Sequence, residues 1–406
     1  MESQKCRSCG NQDLVSILDL GDQPWCNDLI TEENKDNVFL YPLHLVSCKK
    51  CSLLQLDFTV PKEVMFSKHG YLSGMTKTLQ EHFLALAKEN KKQFNLRPSD
   101  MVVDIGGNDG TQLIQYKNIG IPFGVNVESA SNIAKISVNN DISTVNRFFN
   151  LETAQNKFKE GSATLVNAAG VFFHLEELHS VIEGIKYILN DDGVFVVQCM
   201  YAGSLVDNLS FDMIYHEHLC YYTLQSLTNL LNSHGLKVFD AKHSSIHSGS
   251  LIVKACKESA DYSPTESLFE TVEKDEDYTL SSFLRVADVV RKKRHDLKNL
   301  LQDLKDKGNK IYAYGAPAKG NTLLNYFGID STLIDKAVEI NELKVGHLLP
   351  MSNIPIEKES EDDYPDYYLL LSHNFADEII KKNKKLIEEN GVKFIIPFPE
   401  VSVVEA

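Results

Sequence analysis

A chain of 406 residues is long enough for two or three domains at about 150 residues each, and it can bury full-sized cores without disulfide staples. Hydrophobic residues at 43% and charged ones at 24% exclude a disordered or fibrous polymer. A net charge of −15 weighs against nonspecific attraction to nucleic acid or to an anionic membrane. The longest apolar runs, such as Val194–Val197, fall far short of a membrane span, and the opening MESQKCRSCG has no apolar signal core. The expectation is a cytoplasmic enzyme, a monomer or small homo-oligomer, with no nucleic-acid or membrane partner. Its eight cysteines then serve as thiols or metal ligands.

Four of those cysteines form two pairs, Cys6-x2-Cys9 and Cys48-x2-Cys51. Two residues within each pair let a tight knuckle aim both sulfurs at one ion, and two knuckles make a closed tetrahedral zinc site. That site is structural, because a catalytic zinc keeps an open position; free thiols are the alternative. The 38 residues between the pairs exceed zinc-ribbon spacing, so they must form a small subdomain. A nucleic-acid-reading zinc module is disfavoured by Asp13, Asp19, Asp22, Glu32 and Glu33, which would repel phosphates. Cys26, Cys199, Cys220 and Cys256 lack ligand spacing and read as buried thiols.

Leu79, Phe83, Leu86 and Ala87 recur at helical spacing and predict a helix over 78–94. Met101–Val103 is a strand ending in Asp104, and the glycine loop through Gly110 opens into Thr111–Ile114. Strand, tight turn and helix belong at the carboxyl edge of a parallel sheet, where such sheets bind ligands. The loop does not fit a nucleotide-triphosphate phosphate loop, and Gly106, Gly107 and Gly110 make a poor dinucleotide fingerprint. It resembles the D-x-G-x-x-x-G loop of class I S-adenosylmethionine-dependent methyltransferases; an unliganded turn is the alternative. Under that resemblance the glycines let backbone approach the ligand, and Asp104 and Asp109 face its amine or sulfonium side. Glu128, ending the strand Phe123–Val127 about 20 residues on, grips ribose hydroxyls. Gly106, Asn108, Gly110 and Asn167 complete the expected cofactor set. The alternation continues with a strand at Thr164–Ala168, a helix at Leu178–Leu189, a turn at Asp191–Gly193 and a strand at Val194–Val197, which argues for an open parallel α/β sheet.

Ile214–Tyr222 reads IYHEHLCYY. The zinc-protease pattern fails, because His216 and His218 are two apart rather than four. On a strand, Tyr215 and Glu217 would oppose His216 and His218; in a loop that constraint disappears. A buried or surface polar cluster is the bland reading, and proton abstraction by a histidine is the functional one. Lys257–Tyr278 is charged and reads as a linker or surface segment. A long helix follows from Leu280, whose run Arg291–Arg294 is read as a solvated face that could also meet a diphosphate. Strands at Lys310–Tyr314, Ala337–Ile340, Tyr367–Leu371 and Lys393–Ile396, with a helix at Asn321–Phe327, suggest a second doubly wound domain. The turn at Gly315–Gly320 offers backbone N–H groups and Lys319 to an anion, so Lys319 and Asn321 are expected to bind a nucleotide-sugar diphosphate. NAD binding or a structural role are the alternatives.

Five segments in order resemble the sugar C-methyltransferase family, which methylates nucleotide-linked 4-keto-6-deoxy sugars. They are Cys6-x2-Cys9 with DLGDQPWCNDLI (Asp19–Ile30), YPLHLVSCKKCSLLQL (Tyr41–Leu56), DIGGNDGTQL (Asp104–Leu113), YHEHLCYYT (Tyr215–Thr223) and YGAPAKGNTLLNY (Tyr314–Tyr326). The resemblance implies a zinc-binding domain over 1–70, a class I methyltransferase domain over 71–265, and a Rossmann-like nucleotide-sugar domain over 266–406. It implies S-adenosylmethionine and structural zinc as cofactors, with Cys6, Cys9, Cys48 and Cys51 as the metal ligands. His218 matches the family's general base, with Tyr215 and Glu217 beside it, and Tyr71 and His174 match further sugar-site residues. His247 falls in HSGS where the family has HGGS, and Ser372-His373-Asn374 stands where a Trp-Asn pair is usual. The implied reaction is methyl transfer to C3 of the keto sugar through an enolate. A methyltransferase acting on another carbon or on an oxygen of a nucleotide sugar, and an inactive nucleotide-sugar-binding protein, are the rivals.

Overall fold

A computed structural model of the chain describes residues 4–67, 70–246, 249–360 and 362–406. Three sheets carry the architecture. The first is antiparallel: β1 (Leu14–Pro24), β2 (Leu40–Cys48) and β3 (Leu54–Leu56), in that order. Its fourth strand comes from far along the chain, where Cys220–Tyr221 pairs with Gln55 and Leu54. The sheet of the small zinc subdomain is therefore completed by the residues that follow the Tyr215–His218 turn.

The second sheet holds β4 (Val102–Ile105), β5 (Gly124–Val127), β6 (Ser143–Val145), β7 (Ala163–Ala169) and β8 (Leu189–Met200). Cys220–Tyr221 counts as β9, and β10 (Leu236–Ser244) and β11 (Ser250–Lys257) complete the set. The spatial order is β10-β11-β8-β7-β4-β5-β6. The five strands from β8 to β6 are parallel, and β11 runs antiparallel between β8 and β10. The expected turn at Asp191–Gly193 is a bulge instead. Ala163 pairs with Leu189 and Leu165 with Val194, so the extra residues loop out within a continuous strand.

The third sheet, also doubly wound, has β12 (Ile311–Tyr314), β13 (Lys336–Glu339), β14 (Ile356–Lys358), β15 (Tyr367–Leu370), β16 (Lys393–Ile396) and β17 (Ser402–Val404), ordered β14-β13-β12-β15-β16-β17. Two corrections to the sequence reading lie before it. The segment expected as a linker carries a helix, Glu266–Asp275, capped by Thr265 and packed on β10 through Thr271 Oγ1 donating to the Ala241 carbonyl. The basic run on the helix Leu280–Asp306 is not wholly solvated, because Lys293 is buried against Glu400 and Arg294 lies 5.1 Å above the Tyr326 ring. A single apolar core joins residues of all three sheets, from Leu45 through Val197 to Leu369. Cys26, Cys199, Cys220 and Cys256 are buried thiols, as expected.

Candidate active site and zinc centre

At the amino terminus the four knuckle sulfurs lie within 4.8 Å of one another, with Cys6 and Cys51 at 3.4 Å and Cys9 and Cys48 at 3.6 Å. A Zn–S bond of about 2.3 Å puts tetrahedral sulfurs about 3.8 Å apart, so this donor set fits the ion. The hydrogen bond between Cys6 and Cys51 lowers the pKa of the first thiol and raises that of the second, and burial raises that of Cys9, so it is a bound cation that would make all four the thiolates a zinc ligand set needs. The first knuckle is tied to the sheet through Arg7, whose N–H donates to Gln55 Oε1 and whose guanidinium donates to the Leu56 carbonyl and Thr59.

The glycine loop after β4 is shaped by close contacts. Gly106 has φ +65°, and a Cβ there would meet Val171 Cγ2 at 2.6 Å. Gly110 starts the helix Thr111–Asn118 in the left-handed conformation. Glu128, one residue past β5, takes the Asn108 N–H on Oε2 (3.0 Å) and the Ala130 N–H on Oε1 (2.7 Å). Asn108 and Asp109 also fasten the Tyr71–Met75 segment above the loop. Asn108 accepts from Ser73 N–H and donates to the Tyr71 carbonyl, while Asp109 accepts from Gly74 N–H at 2.8 Å.

A cavity of about 710 Å³ runs from this loop to the YHEH turn. Gly106, Asn108, Glu128, Phe148 and Gly170 line it on the loop side together with Tyr71 above the loop, and His174, Tyr215, Glu217 and His218 line it at the turn. All three parts of the chain contribute walls, with Trp25 and Asn27 from the first and Lys344 and His347 from the third. Residues 214–219 form a turn, so the strand rule of alternating faces does not apply. Tyr215, Glu217 and His218 all reach the cavity, while His216 points away and meets the Tyr41 carbonyl at 3.2 Å. Burial lowers the pKa of His216, keeping it neutral.

Hydrogen bonds define both cavity histidines. His218 Nδ1 lies 2.8 Å from the Met213 carbonyl, and His174 Nδ1 lies 2.5 Å from the Glu217 carbonyl. A carbonyl can only accept, so each Nδ1 carries a proton, and in the neutral form of either ring the lone pair is at Nε2. The Tyr215 ring lies over His218 with centroids 3.9 Å apart. Burial, with Glu217 adding repulsion, pushes the Tyr215 hydroxyl well above its ordinary pKa, so it stays a donor. The Glu217 carboxylate is taken by partners the sequence reading did not single out: Trp25 Nε1 donates at 2.7 Å and Asn27 Nδ2 at 2.6 Å, both to Oε1. The only signal for them was position, since both lie in the Asp19–Ile30 segment.

Several expected site residues sit elsewhere. Asp104, Asp109, Gly110 and Asn167 are not among the lining residues; they shape the loop from beneath, Asp104 and Asn167 fully buried at their strand ends. Lys319 and Asn321 also stand outside the cavity. The Lys319 ammonium is engaged by Asn374 Oδ1 at 2.5 Å and Asp212 at 3.4 Å, and Asn321 is buried. Among residues 315–320 only Pro317 and Ala318 reach the cavity wall. His247 lies outside the described residues.

The strand order of the second sheet, its glycine loop and the acidic residue after β5 define a class I S-adenosylmethionine-dependent methyltransferase. Residues 71–241 match the model of a methyltransferase domain, residues 6–66 that of a zinc binding domain, and residues 245–399 that of a C-methyltransferase C-terminal domain. The chain is 32% identical to C-methyltransferase NovU of Streptomyces niveus, over 99% of this chain and 97% of that protein. It therefore belongs to the sugar C-methyltransferase family. Solved structures match less than half of the chain. A SAM-dependent methyltransferase from Aquifex aeolicus is 12% identical, covering 43% of this chain and 97% of that one, with a TM-score of 0.34. The PH0226 protein of Pyrococcus horikoshii is also 12% identical, over 46% and 94%, with a TM-score of 0.38. The fold assignment rests on strand order and the family models, not on those overlays. Among the described residues no helix is long and apolar enough to cross a membrane.

Proposed function

We propose that the enzyme transfers a methyl group to C3 of a nucleotide-linked 4-keto-6-deoxy sugar, with His218 as the base. The observation that carries this reading is the His218 tautomer: the Met213 carbonyl holds the proton on Nδ1, so Nε2 is the acceptor in a cavity shared with the cofactor loop. When bound, S-adenosylmethionine supplies an electrophilic methyl, and Gly106, Asn108 and Glu128 are the residues that would hold it.

Carbon becomes a nucleophile only when it loses a proton. The C4 carbonyl acidifies the C3–H bond, and His218 Nε2 takes that proton. The electrons move into an enolate whose oxygen needs a donor, and the Tyr215 hydroxyl, kept protonated by burial, supplies one. His174 also lines the cavity and is held to the turn through the Glu217 carbonyl. Glu217 does its work as an anchor: its carboxylate ties the turn to Trp25 and Asn27. With S-adenosylmethionine bound, the enolate carbon would take its methyl as the sulfonium S–CH3 bond breaks, leaving S-adenosylhomocysteine.

The test is a mass-spectrometric assay with the cofactor and thymidine- or guanosine-linked 4-keto-6-deoxy sugars, run in ordinary and deuterated water. One added methyl at C3, with C3 deuterium exchange abolished in His218→Asn, is the expected result. Full exchange and turnover in His218→Asn would refute the base assignment. Methylation at oxygen without exchange would refute carbon chemistry.

A further inference from the structure

The turn that carries His218 belongs to the central sheet's chain, but the carboxyl-terminal domain grips it. Phe211 stacks on Phe327 with centroids 5.4 Å apart and 7° between the rings, and meets Phe398 edge-on at 5.1 Å. The next residue, Asp212, has a side chain at 0% exposure. Its Oδ2 accepts from His373 Nε2 at 2.8 Å and lies 3.4 Å from Lys319 Nζ. Burial opposes its charge, yet Lys319 and then His373 hold the carboxyl at about 2. The residue after that, Met213, gives its carbonyl to both His218 Nδ1–H and the Tyr221 hydroxyl, at 2.8 and 3.2 Å.

Three consecutive residues thus connect one domain's anchor to the other domain's histidine. A buried ion pair is a poor source of stability, since apolar groups of equal volume serve as well or better. What it supplies is one geometry. The Asp212–Met213 peptide plane decides where the Met213 carbonyl points, and that oxygen decides which ring nitrogen of His218 bears the proton.

We propose that Asp212, Lys319 and His373 form an interdomain latch of positioning residues that fixes the Met213 carbonyl and thereby the Nδ1–H tautomer of His218. Lys319, placed outside the cavity, then acts on the reaction through the catalytic turn. The effect on turnover rests on the reading of His218 as the base; the effect on the imidazole does not.

The test uses the full-length, zinc-loaded protein with 15N-labelled histidine. Two variants are compared with wild type: Asp212→Ala, and the charge-free Asp212→Leu/Lys319→Met, which keeps apolar volume in place of the ion pair. Both are expected to lower kcat by about 10- to 100-fold, the cost of a misplaced reacting group. Cofactor affinity should stay within about twofold, because the glycine loop is untouched. The His218 nitrogen shifts should move from a single Nδ1–H form to a mixture of tautomers. If Asp212→Ala does not fold, the double variant decides. Wild-type shifts and kcat in a folded double variant would overturn the latch. So would loss of cofactor binding together with the melting transition, which would make the contact simple structural glue. Altered shifts with unchanged turnover would support the latch and refute His218 as the base.

Discussion

Asp104 gives the sharpest physical test of the cofactor loop. It lies next to the last residue of β4, with both carboxylate oxygens buried and without a hydrogen-bond partner, and Asn126 Oδ1 is an orphan acceptor too. The two groups face the same spot, since a Cβ on Gly107 would meet both at 2.6 Å. Burial, with Glu128 adding repulsion, raises the Asp104 carboxyl from 3.8 to about 8. A raised acid pKa means the folded chain keeps a proton that the unfolded chain has released. The stability from this group is therefore full below about pH 4, falls as pH rises, and levels off above about pH 8. At ~1.4 kcal/mol per pH unit, the interval from about pH 5.5 to about pH 8 carries at most about 3 kcal/mol. Relaxation of the buried site towards a higher effective dielectric reduces that to about 1.5 kcal/mol. Asp104→Asn has no charge to bury and no such slope. In cofactor-free protein its melting temperature should gain on wild type by about 3 °C or more at about pH 8.5 relative to about pH 5.5. An equal gap at the two pH values would mean that Asp104 titrates normally and that the loop is wetter than the structure shows.

Three further outcomes follow from contacts described above. Gly106→Ala puts a Cβ 2.6 Å from Val171 Cγ2 at a φ of +65°, so cofactor affinity measured by calorimetry should fall at least about tenfold, as a strained loop costs about 1–3 kcal/mol; unchanged affinity would contradict the loop geometry. Trp25→Phe removes an N–H donor from Glu217, and the loss of a charge-assisted bond worth about 1.5–3 kcal/mol should lower kcat about tenfold or more with zinc content intact. Cys48→Ser should release zinc, measured by elemental analysis, and should also lower activity, because the sheet it anchors pairs through β3 with Cys220 and Tyr221 just after the Tyr215–His218 turn; a metal-free variant with full turnover would refute that coupling.

Much of this protein was legible in the sequence because the signals are local. Two residues between cysteines fix a knuckle, a glycine at positive φ fixes the loop after β4, and alternating apolar periods announce strands and helices. The YHEH cluster announced one wall of the cavity for the same reason: three of its four neighbouring residues, Tyr215, Glu217 and His218, reach it. What tertiary structure alone decided are pairings across long separations. Glu217 looked like the partner of His218 but is held by Trp25 and Asn27, which lie 192 and 190 residues away. Lys319 looked like an anion site at a helix start, yet a fully buried Asp212 claims it, and a carboxylate taken out of water draws in the nearest cation that geometry allows. The charged stretch before Leu280 folds into a helix because Thr265 caps it and β10 gives it a surface. Spacing along a chain sets what one turn or loop can do, whereas the choice of partner for a buried charge depends on which distant segment packing brings within about 3 Å.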